Sequence, residues 1–149
     1  MMGATVGIET LITSRTFFLV GIKGTGMTSL ALLLTKLGAH VSGSDVAQQF
    51  ATDQMLTDAH ISCSTRVDPD VLDDLVSVVI YSAAYDKETH PLLIAAVQRG
   101  LELYSYPEWI ALMSTMLTSY GVAGTHGKTA TTGCAEFILR HTGLSYCAI

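Results

Sequence analysis

The sequence predicts a doubly wound α/β fold built on a mostly parallel sheet. Short apolar runs of strand length alternate with longer helical segments along the chain, as expected of consecutive βα units. The clearest of these runs are continuously apolar, which is typical of strands buried on both faces of a parallel sheet. Hydrophobic residues make up 49% and charged residues 14% of the 149 residues, a composition that suits an extensive buried core.

The predicted strands are rich in β-branched and aromatic residues and are bounded by glycine or polar residues. The first, TFFLVG, ends at Gly21, and the second stops at Gly43. The run VSVVIYS has the strongest strand character in the chain. In chain order the predicted strands cover residues 16–21, 40–43, 61–64, 76–82, 101–105, 120–124 and 144–149.

The segments between the strands carry helix start and stop signals. One helix, for example, starts at Pro91, where proline fits the first helical position, and is followed by Gly100, the residue type favoured just after a helix. Another would be anchored in the core by Phe50, Met55 and Leu56. The predicted helices cover residues 26–38, 48–60, 90–100, 107–117 and 127–143, with a helical turn started by Pro69 over residues 68–75.

A domain boundary is predicted near Thr118, where a first set of strands is complete and a second glycine-rich turn follows. We therefore expect an N-terminal extension over residues 1–15, a first domain over residues 16–118 and the beginning of a second domain over residues 119–149. The extension lacks the basic start of a signal peptide.

Composition excludes several classes of function. The formal net charge is −5 and no run of Lys or Arg stands out, which argues against binding of nucleic acid. The apolar segment Leu30–Leu34 is far too short to span a membrane. Three cysteines without metal-site spacing favour reduced thiols and a cytoplasmic protein. The histidines share no spacing that suggests a metal site.

The first glycine-rich turn, GIKGTGMTS, is close to the dinucleotide fingerprint G-x-G-x-x-G, with Ser29 in place of the third glycine. It follows an apolar strand and precedes a helix, whose free N–H groups and partial positive charge attract phosphates. Asp45 ends the next strand at about the 20-residue offset expected of an acid that binds a ribose hydroxyl. The turn predicts a nucleotide diphosphate without identifying it, and a purely structural glycine turn is the alternative.

The second turn, GTHGKT, resembles a phosphate-binding loop between a strand and a helix. In such a loop the backbone N–H groups surround the phosphates, Lys128 reaches the β- and γ-phosphates, and the Thr129 hydroxyl binds Mg²⁺. Val122 stands where a strict Walker A motif has its first glycine, so the loop is shorter. We predict an ATP site.

The motifs GIKGTGM, SGSD, YSAAY and GTHGKTATT together resemble the N-terminal part of the Mur ligase family. The resemblance runs from about Phe17 to the end of the sequence. It implies a Rossmann-like domain that binds a UDP-sugar, followed by the first strand, loop and helix of a central ATPase domain. Other central-domain residues and a C-terminal domain of the family are not part of these 149 residues.

The resemblance also implies roles for individual residues. Lys23 and Ala130 stand where the family more often has glycine and threonine. We expect Lys23 to point into solvent, with a positive charge beside the diphosphate as the alternative, and we expect the Ala130 N–H still to bind phosphate. The implied UDP-sugar residues are Gly24, Thr25, Gly26, Met27, Asp45, Ser82 and Ala83. The implied ATP residues are Gly124, Thr125, His126, Gly127, Lys128, Thr129 and Ala130, with Lys128 and Thr129 as the catalytic pair and Thr129 as the Mg²⁺ ligand.

The implied function is ATP-dependent amide ligation in peptidoglycan synthesis. L-alanine would be added to UDP-N-acetylmuramate through an acyl phosphate, with ATP and Mg²⁺ as cofactors, and a tripeptide as the amine substrate is the alternative. A second alternative is an NAD-binding domain of an oxidoreductase or regulator. We expect a monomer or weak homodimer, and no ligase activity from the 149 residues alone.

Overall fold

The computed structural model describes residues 11–144 and 146–149. The chain divides into two compact units, the first ending at Leu117 and the second beginning at Thr118. Each unit is described by itself below.

The first unit contains a five-stranded sheet in the order β3-β2-β1-β4-β5. Every neighbouring pair of strands is parallel. The chain therefore builds one side of the sheet from β1 to β3 and then crosses to β4 on the other side. The predicted α/β fold with a parallel sheet is confirmed. The strands are β1 (Thr16–Val20), β2 (His40–Ser44), β3 (Ser62–Ser64), β4 (Val78–Tyr81) and β5 (Glu102–Ser105).

The central strand β1 explains why continuous apolar runs mark this sheet. Successive side chains of a strand point to opposite faces. Phe17 and Leu19 accordingly belong to one buried core cluster, and Phe18 and Val20 belong to another. Both faces of β1 are thus covered, so each position needs an apolar side chain.

Helices cover the two faces of the sheet. They are α1 (Thr25–Lys36), α2 (Asp53–Asp58), α3 (Pro91–Gln98) and α4 (Tyr106–Met116), with a short 3₁₀ turn at Pro69–Val71. Trp109 of α4 is fully buried and packs edge-on against Phe17 and Tyr104. Ile12, which lies within the predicted extension, is also fully buried in this cluster, so the packed unit begins before Thr16.

The segment 48–60 departs from its prediction. Only Asp53–Asp58 is helical, and of the three predicted anchors only Leu56 is buried. Phe50 and Met55 are 42% and 46% exposed. The Asp53 carboxylate accepts a hydrogen bond from the Phe50 N–H at 2.9 Å, and the helix begins at Asp53. Such bonds from a short side chain to the nearby backbone compete with helix formation by the residues before it. The strand β2, in turn, continues one residue past the predicted stop at Gly43.

The described residues of the second unit form one helix, α5 (Lys128–Arg140), where a helix was predicted. Residues 120–124 were predicted as a strand but do not form one. The other predicted strand, 144–149, is not formed by residues 144 and 146–149, and Ser145 lies outside the described residues. A parallel strand is stable only beside a hydrogen-bonded neighbour. Since no described residue of this unit supplies such a neighbour, the strand prediction is wrong for these residues.

Candidate functional site

The turn after β1 is shaped by close contact with the loop after β4. Gly21 has φ of +84°, and its N–H donates to the Ser44 carbonyl at 2.8 Å. A Cβ atom at this position would lie 2.8 Å from both the Ser82 Cβ and the Tyr85 Cε2 atoms. Both the backbone conformation and the space therefore require glycine. The structure brings the predicted residues Gly21 and Ser82 together.

The turn leads into the N-terminus of α1. The first hydrogen bond at this end is donated by the Thr28 N–H to the Gly24 carbonyl at 2.8 Å. The N–H groups of Thr25, Gly26 and Met27 precede it, and a helix leaves such groups without intrahelical partners. Gly24 and Thr25 are exposed, whereas the Met27 side chain is buried in the core. Met27 can therefore serve an anion only through its backbone.

Asp45 ties three parts of the site together. One carboxylate oxygen, Oδ2, accepts from the Lys23 N–H at 2.8 Å, in the glycine turn. The other, Oδ1, accepts from the Val46 N–H at 2.7 Å and from the Tyr85 hydroxyl at 3.3 Å. A carboxylate offers about four lone-pair positions, so these donors leave it able to accept one more hydrogen bond.

A cleft of about 290 Å³ lies beside Asp45. It opens at the carboxyl ends of three adjacent strands, since Val20 ends β1, Ser44 ends β2 and Thr65 follows β3. Open parallel sheets bind ligands at this edge, where the strand order reverses. The cleft is lined by Val20, Ser44, Asp45, Val46, Ala47, Thr65, Val67, Tyr85 and His90.

Tyr85 and His90 line this cleft although sequence reasoning did not select them as site residues. Their rings meet edge-on with centroids 4.9 Å apart. Burial, followed by the nearby Asp45 carboxylate, raises the pKa of Tyr85, so its hydroxyl is protonated and donates to Asp45. Burial lowers the pKa of His90, which favours a neutral imidazole, and its buried Nδ1 makes no hydrogen bond with the described residues.

The other predicted residues of the β4 loop lie at the turn rather than in the cleft. Ser82 is half-buried, and its Oγ accepts a hydrogen bond from the Ala84 N–H at 3.4 Å. Ala83 is exposed and does not line the cleft. Ser82 and Ala83 were selected because they directly follow β4. Tyr85 follows the same strand, so the same criterion could have identified it as a site residue.

Lys23 does not point into solvent, and that expectation is corrected. The residue is 7% exposed. Its Nζ atom donates to the carbonyls of Val46 at 3.0 Å and Gln48 at 2.9 Å, and lies 3.2 Å from the Asp53 carboxylate. A buried ammonium is stable only when its donors are paired, which these contacts achieve.

The second glycine-rich turn leads directly into the N-terminus of α5. Gly127 precedes α5 with φ of +79°, and the Thr131 N–H donates to its carbonyl at 2.9 Å. The Lys128 ammonium folds back over the loop and donates to the Gly124 carbonyl at 2.8 Å. The ATP residues predicted here, Gly124, Thr125, His126, Gly127, Lys128, Thr129 and Ala130, are all exposed.

Residues 11–144 and 146–149 contain no cluster of three or more His, Cys, Asp or Glu side chains that could hold a metal ion. No helix within the same residues is long and apolar enough to cross a bilayer.

Comparison with known proteins identifies one family. The model of the Mur ligase family, catalytic domain, matches residues 16–116. A curated UDP-N-acetylmuramate–L-alanine ligase from Treponema pallidum is 46% identical over 114 residues, covering 76% of this chain and 24% of that protein. The ligase of the same name from Borreliella afzelii is 37% identical over 131 residues, covering 86% of this chain and 28% of that protein. The chain thus spans about a quarter of the length of these relatives.

Solved structures share the fold. The UDP-N-acetylmuramate:L-alanyl-gamma-D-glutamyl-meso-diaminopimelate ligase from Neisseria meningitides matches with a TM-score of 0.74 at 28% identity, over 89% of this chain and 41% of that one. The UDP-N-acetylmuramate-alanine ligase from Thermotoga maritima matches with a TM-score of 0.75 at 24% identity, over 85% and 29% of the two chains.

Proposed function

This chain belongs to the Mur ligase family, and from that membership we propose that its first unit binds UDP-N-acetylmuramate for an ATP-dependent ligase of peptidoglycan synthesis. The observation that carries the proposal is the meeting of the glycine turn, the N-terminus of α1 and the Asp45 carboxylate at one edge of the sheet. That edge offers N–H donors for a diphosphate and an acceptor for a ribose hydroxyl within one site.

The diphosphate is assigned to the backbone N–H groups of Thr25, Gly26 and Met27. The partial positive charge of the helix N-terminus favours an anion there. Gly24 leaves the approach to these groups open, because it is exposed and adds no side chain. Gly26 is needed for packing instead, since a Cβ atom there would lie 3.0 Å from the Tyr106 hydroxyl oxygen. The ribose is assigned to Asp45, which retains capacity to accept a hydrogen bond beyond those from Lys23, Val46 and Tyr85.

ATP is assigned to the second glycine-rich turn. In the proposed reaction a carboxylate oxygen of UDP-N-acetylmuramate attacks the γ-phosphorus of ATP, and ADP leaves. The amine of L-alanine then attacks the acyl carbon of the resulting acyl phosphate, so that an amide forms, inorganic phosphate leaves and the amine loses a proton. Lys128 would neutralise charge on the transferring group. Mg²⁺, held by the Thr129 hydroxyl and the phosphates, would supply further positive charge.

L-alanine is the preferred amine substrate because the curated relatives at 37–46% identity carry that amino acid in their names. The Neisseria ligase, whose name specifies a tripeptide, keeps the tripeptide as the second candidate. We further propose a cytoplasmic location, in keeping with cysteines that show no disulfide pattern. A monomer or weak homodimer is the proposed oligomeric state.

Replacing the Asp45 carboxylate should weaken binding of UDP-N-acetylmuramate. A hydrogen bond to a charged group contributes about 1.5–3 kcal/mol, so we expect Asp45→Ala to raise the dissociation constant about 10- to 150-fold. Isothermal titration of the 149-residue chain measures this directly. Asp70→Ala, at an exposed aspartate of the same unit, is the matched control and should bind normally. Equal affinity in the two variants would remove the ribose assignment.

A further inference from the structure

The segment between β2 and α2 forms one wall of the cleft but has no regular structure of its own. Residues 46–52 belong to neither a helix nor a strand. Val46 and Ala47 nevertheless line the cleft beside Asp45. This segment lacks the repeated backbone hydrogen bonds of a helix or strand, so other contacts must hold it in one conformation. Fixing the backbone of each residue costs about 1–2 kcal/mol of conformational entropy.

The Lys23 side chain supplies these contacts. Its ammonium donates to the Val46 and Gln48 carbonyls at 3.0 and 2.9 Å, and it lies 3.2 Å from the Asp53 carboxylate. It also lies 5.9 Å from the centre of the Phe50 ring, within the range of a cation–π contact. One buried cation therefore contacts both ends and the middle of the segment.

The Lys23 backbone contacts the same segment. Its N–H donates to the Asp45 carboxylate at 2.8 Å, and its carbonyl accepts from the Thr52 hydroxyl at 2.6 Å. The Phe50 N–H, together with the Lys23 ammonium, lowers the pKa of the Asp53 carboxyl, so Asp53 is charged at neutral pH. The glycine turn and the cleft wall are thus joined through a single residue.

We propose that Lys23 is a positioning residue that holds residues 46–53 as a preformed wall of the nucleotide cleft without contacting the nucleotide. The inference rests on the proposed binding of UDP-N-acetylmuramate. It differs from a role in diphosphate binding, because the ammonium contacts two carbonyls, a carboxylate and the Phe50 ring, which all belong to residues 46–53. Lys23 would favour binding by reducing the entropy lost when the wall is fixed around a ligand.

The test combines amide hydrogen exchange with titration of UDP-N-acetylmuramate, using the 149-residue chain. Lys23→Met removes the charge and keeps an apolar side chain of similar length. We expect amides of residues 46–53 to exchange about tenfold faster in this variant and amides of β1 to exchange at an unchanged rate. The dissociation constant of UDP-N-acetylmuramate should rise about tenfold, because the backbone entropy of about one residue must then be lost on binding. Lys36→Met, at an exposed lysine in the last turn of α1, should change neither quantity.

Asp53→Asn provides a second variant should Lys23→Met fail to fold. This change removes the negative charge beside the Lys23 ammonium but keeps an oxygen that can accept hydrogen bonds from the ammonium and from the Phe50 N–H. We therefore expect smaller changes in the same direction. Weaker binding with unchanged exchange would show that Lys23 contacts the ligand and would overturn the proposal. Faster exchange with unchanged affinity would also overturn it, because the wall would then not matter for binding. A further outcome separates this proposal from the proposed function. If Lys23→Met exchanges faster but the unmodified chain does not bind the UDP-sugar, then Lys23 does hold residues 46–53, and the proposed function is contradicted.

Discussion

Gly21→Ala is expected to destabilise the first unit by about 2–5 kcal/mol. A left-handed conformation costs an L-residue roughly 1–2 kcal/mol, and overpacking adds about 1–3 kcal/mol. Both apply at Gly21, where φ is +84° and a Cβ atom would lie 2.8 Å from the Ser82 Cβ and the Tyr85 Cε2 atoms. Domains of this size have a total stability of about 5–15 kcal/mol, so the loss is severe. Urea denaturation followed by Trp109 fluorescence measures it.

Gly100→Ala is the matched control for this substitution. Gly100 also has a positive φ, of +69°, but nothing lies within 4 Å of its Cβ position. It should lose only the conformational part, about 1–2 kcal/mol. The difference between the two variants isolates the close contact between the glycine turn and the β4 loop. Equal losses would show that this contact does not constrain the turn.

Lys128→Ala is expected to reduce ligase turnover about 10²–10³-fold, the usual loss when a preorganised charge at a transferring group is removed. The measurement needs a complete ligase, made by joining this chain to the remaining part of the Treponema pallidum relative, of which it covers 24%. Phosphate release dependent on L-alanine is the readout. Lys36→Ala in the same hybrid is the control, and both variants should bind UDP-N-acetylmuramate normally.

The 149-residue chain alone provides the baseline for that assay. We expect no alanine-dependent phosphate release from it, since α5 has no buried residue among those described and so does not fix the loop before it. A loop that must order on binding loses affinity for ATP. Near-normal turnover of the Lys128→Ala hybrid would refute the assignment of ATP to this loop.

Features set by neighbours in the sequence were predictable. The strand β1 was recognised because burial on both faces requires an unbroken apolar run. The glycine turn was recognised because it lies between this apolar strand and a helix. The spacing from the glycine turn to Asp45 likewise predicted that they would lie together, as the hydrogen bond from the Lys23 N–H to Asp45 confirms.

Features set by tertiary contacts were not predictable. The apolar spacing of Phe50, Met55 and Leu56 suggested one long helix, but the Asp53 carboxylate and the Lys23 ammonium hold the residues before Asp53 in another conformation. Burial of Lys23 depends on carbonyls 23 and 25 residues away, which no local pattern reveals. His90 gave no signal, because its contact with the Tyr85 ring in the cleft is a feature of the packing and not of a sequence motif.

The central claim, that the first unit binds a UDP-sugar, is tested most directly by parallel calorimetric titrations of the 149-residue chain with UDP-N-acetylmuramate and with NADH. Both ligands carry a diphosphate that a glycine turn could accept, so only the comparison separates a Mur ligase from an NAD-binding domain. We predict saturable binding of UDP-N-acetylmuramate, weakened in Asp45→Ala, and no heat of binding with NADH. Saturable binding of NADH together with no response to UDP-N-acetylmuramate would contradict the account.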